Sequence, residues 1–209
     1  PRWAVAAGLA VAVGLSALAL YRPDAGRVTV ETAGGKLFRV SGGQVAPVPV
    51  GEELDAAGEL RTAKDTGAVV RLRDGSTVEM RERTAFTVSE SGPDTTVHLA
   101  RGAVIVEAAK RRFGRLYVAT RDCRVAVTGT VFSVSSGVKG SRVAVIEGEV
   151  RVAQGSAEAV VRAGGQYATG SAMTPVELRD EISWSRNFDR YAALLKQFKA
   201  LEKELESVR

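Results

Sequence analysis

Few side chains in this sequence are of a type and spacing that could do chemistry. His98 is the only histidine, and in Thr96-Val97-His98-Leu99 the period-two alternation sets it opposite Val97 and Leu99, on an outward strand face. A catalytic triad needs a nucleophile, this base and an orienting acid. Asp94 is near in sequence, but no Gly-x-Ser-x-Gly elbow accompanies it. Cys123 shares the parity of Val125 and Val127 and reads as a small buried apolar side chain; as the single cysteine it forms no intrachain disulfide. No His, Cys or carboxylate cluster has metal-ligand spacing, and Asp74-Gly75 lacks the alternating ligands of a calcium loop. Gly34-Gly35 and Gly164-Gly165 lack the Lys-Ser/Thr that completes a phosphate loop. The expectation is a protein that is not an enzyme, with no catalytic residue, cofactor or metal.

Charge offers more. Lys110-Arg111-Arg112-Phe113-Gly114-Arg115 is the densest cationic cluster, with Arg121 and Arg124 downstream. Lys110, Arg111, Arg112 and Arg115 are candidates for contact with lipid phosphates or an acidic protein surface, against the plainer reading of a solvated loop. The net charge of +5 permits an anionic partner without requiring one. Nucleic acid is not expected for a domain outside the cytoplasm.

The elements that position these groups read as short strands. From Val125 to Val152, Val125 and Val127 alternate with smaller residues up to Gly129, and Phe132 and Val134 resume the alternation. Gly137 and Gly140 bracket a turn, and Val143, Val145 and Ile146 lead to Glu147-Gly148-Glu149. Period-two apolar spacing broken by glycine marks half-buried strands joined by tight turns. Gly75, Gly102, Gly129, Gly148 and Gly164 repeat the punctuation loosely. The fold class is mainly β over residues 28–175: stacked short strands in a β-solenoid-like or sandwich arrangement. Within it we expect a hairpin at Gly34-Gly35, a turn between two strands at Arg101-Gly102, and an edge strand at Val45–Val50, whose two prolines suit an edge.

The ends differ from this body. Trp3 to Tyr21 is uncharged and rich in Ala, Val and Leu. As a helix it would be about 28 Å long, close to the hydrocarbon thickness of a bilayer. Residues 1–22 are expected to form a transmembrane helix anchored through Trp3, Leu9, Val13, Leu18 and Tyr21, with residues 23–27 as linker. A cleaved signal peptide ending near Ala17-Leu18-Ala19 is the rival reading. Cytoplasmic residues are expected ahead of Pro1. From Asp180 the chain has no Gly or Pro, and apolar residues recur every three or four. This predicts an amphipathic, coiled-coil-like helix over 180–209 with Asp180 as N-cap. Tyr191, Leu194, Phe198, Leu201 and Leu205 are its candidate partner-binding residues, for a homo- or hetero-oligomer. The plainer reading packs the helix on its own β body.

Five pieces in order carry a family resemblance. Val127 to Val134 reads V-x-G-T-x-F-x-V, and Val143 to Val150 reads V-x-V-x-x-G-x-V. Upstream lie Leu72-Arg73-Asp74-Gly75-Ser76 and His98-Leu99-Ala100-Arg101-Gly102; downstream lies Ala163-Gly164-Gly165-Gln166. From about Val28 to Ala168 the chain resembles the FecR domain, an extracytoplasmic all-β module. The resemblance implies structural roles for Asp74, Gly75, Gly102, Gly129, Thr130, Phe132, Gly148 and Gly164. It also implies a bacterial inner-membrane protein, single-pass, with its bulk in the periplasm. Such a domain receives a signal from protein partners in the envelope and relays it to a cytoplasmic sigma-factor-binding segment. The sequence departs from that pattern in its long C-terminal helix and in showing no cytoplasmic segment before Trp3. The competing expectation is a structural scaffold in an envelope complex, docking through that helix and the sheet edges.

Overall fold

The computed structural model describes residues 24–55, 58–173 and 176–207. Strand accounts for 52% against 12% helix, so the fold is mainly β. The expected transmembrane helix, with Trp3, Leu9, Val13, Leu18 and Tyr21, lies outside the described residues. Among the described residues no helix is long and apolar enough to cross a membrane.

The strands form two open sheets. The first runs β4 (Gln44–Pro47), β3 (Leu37–Ser41), β6 (Glu59–Thr62), β9 (Ala85–Ser91), β10 (Asp94–Glu107), β11 (Leu116–Ala119), β12 (Arg124–Val127), β15 (Glu149–Gln154) and β16 (Ala157–Arg162). β1 (Asp24–Ala25) also pairs with β9. The second runs β5 (Glu53–Asp55), β2 (Arg27–Ala33), β7 (Ala68–Leu72), β8 (Thr77–Met80), β10, β13 (Val131–Gly137), β14 (Gly140–Glu147) and β17 (Gln166–Ala168). Successive hairpins fall alternately in the two sheets. Of the two arrangements expected, the pairing is that of a sandwich: every described pair is antiparallel except β10–β11, so no coil of parallel rungs forms.

β10 belongs to both sheets. Its first half pairs with β9 and its second with β8 and β13. The bend falls at Gly102, where a turn between separate strands was expected; one strand instead turns the corner. Gly102 has φ +92°, and a Cβ there would lie 2.6 Å from the Thr84 Cα. Thr84 Oγ1 accepts the Ala103 N–H at 3.1 Å and donates to the Ala103 carbonyl at 3.0 Å, pinning the corner. Gly34-Gly35 also differs from expectation. β2 and β3 lie in different sheets, so this pair makes a crossover rather than a hairpin.

Between the sheets lies one core, lined by alternating residues such as Phe86, Val97, Leu99, Val125 and Val152 from one side and Val70, Val78, Val104, Phe132 and Val145 from the other. A second core covers the outer face of the second sheet. Ile105, Val131, Ala144 and Ile146 pack there against Leu178, Ile182, Tyr191 and Leu195. That face explains why β14 reads Val-Ala-Val-Ile rather than strictly alternating: it is buried on both sides. The outer face of the first sheet, with Thr87, Thr96 and His98, is left to solvent.

The C-terminal segment is two helices, α1 (Leu178–Glu181) and α2 (Phe188–Ser207), not one helix from Asp180. Asp180 lies inside α1 and is not its cap. The interruption has a reason in the contacts: Ser185 Oγ donates to Glu79 Oε2 at 2.6 Å and the Arg186 N–H to Glu79 Oε1 at 2.7 Å. The backbone leaves the helical path to satisfy a carboxylate that is itself buried. Arg142 with Glu181, and Arg190 with Glu107, add ion pairs along the same seam.

Candidate functional site

The cationic loop and the Asp74 turn, far apart in sequence, are one structure. Asp74 accepts the Ser76 N–H at 3.1 Å and its hydroxyl at 2.5 Å, closing the turn in which Gly75 takes φ +87°. Ser76 Oγ accepts the Ala109 N–H at 2.9 Å, which ties the turn to the loop after β10. Arg111 then reaches back. Its Nε donates to Asp74 Oδ2 at 2.7 Å, Nη2 lies 2.5 Å from the same oxygen and donates to Thr95 Oγ1 at 3.0 Å, and Nη1 donates to the carbonyls of Pro93 and Arg115. The Arg111 side chain is 7% exposed.

The expectation that Arg111 meets an outside anion is therefore corrected. All its donor atoms are engaged inside the domain, and no fork remains to offer. Lys110, Arg112 and Arg115 are exposed and enter no ion pair among the described residues. Phe113, between them, is 84% exposed.

The other motif residues lie in the core and at the turns of the sandwich. Phe132 is fully buried between the sheets. Gly129 and Gly148 stand where the chain changes sheet, after β12 and after β14. At Gly148, φ is +83° and a Cβ would lie 2.8 Å from Thr130 Cγ2. Thr130 is buried and its hydroxyl donates to the Glu149 carbonyl at 3.3 Å, joining the two crossovers. Gly164 makes the turn before β17, beside Phe198.

The candidate partner-binding residues of the last helix divide. Tyr191 is 2% exposed and lies in the second core, so its assignment to an outside partner is corrected: the β body is its partner. Leu194 is partly buried against the same core. Phe198 is half-buried, lining a groove with Ile146, Gly148, Ala163 and Leu201. Leu201 is 59% exposed and is not consumed by the fold. Nothing is described for the Leu205 side chain.

His98 and Cys123 hold no constellation. His98 Nε2 lies 2.8 Å from Ser89 Oγ on the open face of the first sheet. Partial burial, then the Arg124 charge, hold its pKa below the ordinary 6.5. Arg124 itself stacks over Tyr117, 3.7 Å from the ring centroid. Because the folded pKa is depressed, the unfolded chain binds the proton more readily. The His98 contribution is thus present above pH 6.5 and is lost as pH falls through the folded value. Urea midpoints measured from pH 7.5 down to 5 should fall for the parent and fall less steeply for His98→Gln; parallel profiles would refute this. Burial pushes the Cys123 thiol up, keeping it protonated at neutral pH.

A feature that sequence reasoning did not single out is the free edge of β16. The sheets end in β4, β5, β16 and β17. β4 ends in Pro47, and β5 and β17 are three residues each. β16 has six residues, with no proline and no lysine. Gly155, with φ +57°, and Ser156 form the two-residue turn into it, closed by the Gln154–Ala157 pair. Ladder alternation from that pair directs the N–H and C=O of Ala157, Ala159 and Val161 toward β15. Those of Glu158 and Val160 face outward, as does the Arg162 N–H, while the Arg162 carbonyl accepts the Gly165 N–H at 2.9 Å. Long unprotected edges recruit strands.

Comparison with curated proteins gives no match. Among solved structures, the chain is similar to two crystal structures of a "putative anti-sigma factor" from Parabacteroides distasonis, each with TM-score 0.51 and 19% identity. The likeness covers 56% of this chain and 57% and 56% of those chains, and it is a likeness of fold. Residues 58–151 match the family model described as FecR protein. The matched part runs from β6 through the Asp74 turn and the Gly129 and Gly148 crossovers.

Proposed function

We propose that this chain is a signalling regulator, held in the bacterial inner membrane by residues 1–22, whose periplasmic FecR domain binds a protein partner and relays its presence across the bilayer. The observation that carries the reading is the β16 edge just after the FecR match: it offers an incoming strand the outward N–H and C=O groups of Glu158 and Val160 and the Arg162 N–H. The anti-sigma description of the proteins sharing this fold supports the regulatory half. The apolar run from Trp3 to Tyr21 supports the anchor.

Val160→Pro tests it. The substitution removes an outward-facing N–H and leaves the β15 ladder intact, a position where proline is tolerated. A strain carrying it on the chromosome, with protein level checked by immunoblot, should reproduce the transcript changes of the deletion strain. An unchanged transcript profile in both strains would refute the regulator. The second reading, an envelope scaffold, rests on the exposed Leu201 at the far end of an otherwise docked helix. It expects unchanged transcripts and a lost assembly on Leu201→Lys.

A further inference from the structure

The loop after β10 presents an aromatic flanked by cations at the same end of the domain where the chain enters it. β1 pairs Asp24 with Glu90, the penultimate residue of β9, just before the Gly92-Pro93 turn. That turn is the floor of the loop. Arg111 donates to the Pro93 carbonyl at 3.1 Å, and Gly114, with φ +73°, sits so close that a Cβ would lie 2.1 Å from the same oxygen. Glu90, Pro93, Arg112 and Phe113 line one cleft. Tyr21 is three residues before Asp24, at most about 10 Å of extended chain.

We propose that this tip, Phe113 with Lys110, Arg112 and Arg115, rests on the anionic bilayer surface into which the N-terminal run inserts. The proposal depends on the anchor reading above and adds to it a second point of membrane contact. Charge favours lipid phosphate as the occupant. The acids at this end are engaged: Asp74 with Arg111, Glu90 with Arg73 at 3.7 Å, and Asp94 with the Arg115 N–H at 2.8 Å. The three exposed cations are left without ion pairs among the described residues. An aromatic ring with an apolar body suits the headgroup boundary, and basic side chains beside it meet phosphates. The Arg111 pin makes the tip a preformed wedge, so little ordering entropy is lost on contact. With two fixed points, stem and tip, the domain would hold one tilt on the membrane, leaving the β16 edge oriented for a partner.

The test uses the full chain in vesicles of phosphatidylcholine, with or without phosphatidylglycerol. Phe113→Trp places a reporter at the tip. Val138→Trp places one at the β13–β14 turn, at the opposite end of the sandwich and 94% exposed. The parent spectrum, with Trp3 and Trp184, is subtracted. At position 113 the added signal should shift to the blue and be quenched by brominated lipid in phosphatidylglycerol vesicles, and should be relieved by salt or by Arg112→Glu with Lys110→Glu. Position 138 should stay aqueous. If the protein floats with vesicles yet position 113 behaves like 138, the tip contact is wrong and the anchor stands. If the protein does not float, both fall. Shielding of position 113 by polyglutamate but not by lipid would overturn the lipid contact in favour of an acidic protein.

Discussion

Arg111→Met should lower the stability of the sandwich by about 3–5 kcal/mol, the usual cost of removing one partner from a buried ion pair. At the 2–4 °C per kcal/mol typical of domains this size, the melting temperature should drop by roughly 6–20 °C. The physical reason lies in what the guanidinium leaves behind. Asp74, whose side chain is 18% exposed, would keep only the Ser76 donors, the Pro93 carbonyl and Thr95 hydroxyl would lose the Arg111 donor, and the Arg115 carbonyl would keep only the Thr95 N–H. Arg112→Met, one residue along and exposed, should stay within about 0.5 kcal/mol of the parent. Adding Asp74→Asn to Arg111→Met should recover part of the loss, because the uncompensated charge is then gone. Equal melting temperatures for the Arg111 and Arg112 variants would show that the pin contributes nothing.

That contrast between neighbours shows where the sequence was legible. The strands were readable because valines alternate and glycines interrupt them, and both signals are local. Gly129 and Gly148 mark chain breaks in the sequence and sheet changes in the fold. Cys123 was placed correctly by parity alone. The charged run was different. Lys110, Arg111, Arg112 and Arg115 are alike as letters, and what separates Arg111 from the rest is Asp74, 37 positions away. No periodicity encodes that pairing; the Asp-Gly-Ser turn hinted only at its own closure. Gly102 misled for a related reason. A glycine with positive φ suits both a turn between strands and a bend within one, and only the closeness of Thr84 decides between them. The β16 edge was invisible because an edge is defined by the strand that is missing beside it. The terminal seam was seen as apolar and helical, yet its partner could not be read, since the face it covers is interleaved with core positions on β13 and β14.

The docking of that seam predicts the second large effect. Tyr191→Ala should cost about 3–5 kcal/mol by analogy with large aromatic truncations, and it should act locally. Tyr191 and Ile182 are the two largest side chains that the C-terminal segment buries completely or nearly so on the second sheet. Most of the stability of a protein helix comes from tertiary packing of its apolar face, so a segment that loses this contact melts rather than lifting off intact. The variant should therefore lose helical ellipticity while the β signal persists, and trypsin should cut at Lys196, Lys199 and Lys203 well before the sandwich. Melting also uncovers Ile105, Val131, Ala144 and Ile146, an apolar face that would drive self-association. Glu79→Gln should weaken the same docking more mildly, since one amide oxygen can still accept from Ser185 or Arg186. A Tyr191→Ala protein with parental ellipticity and protease resistance would mean that the helix is held elsewhere. The seam beyond Leu194 would then be free for another chain along its whole length, which is the arrangement the scaffold reading requires.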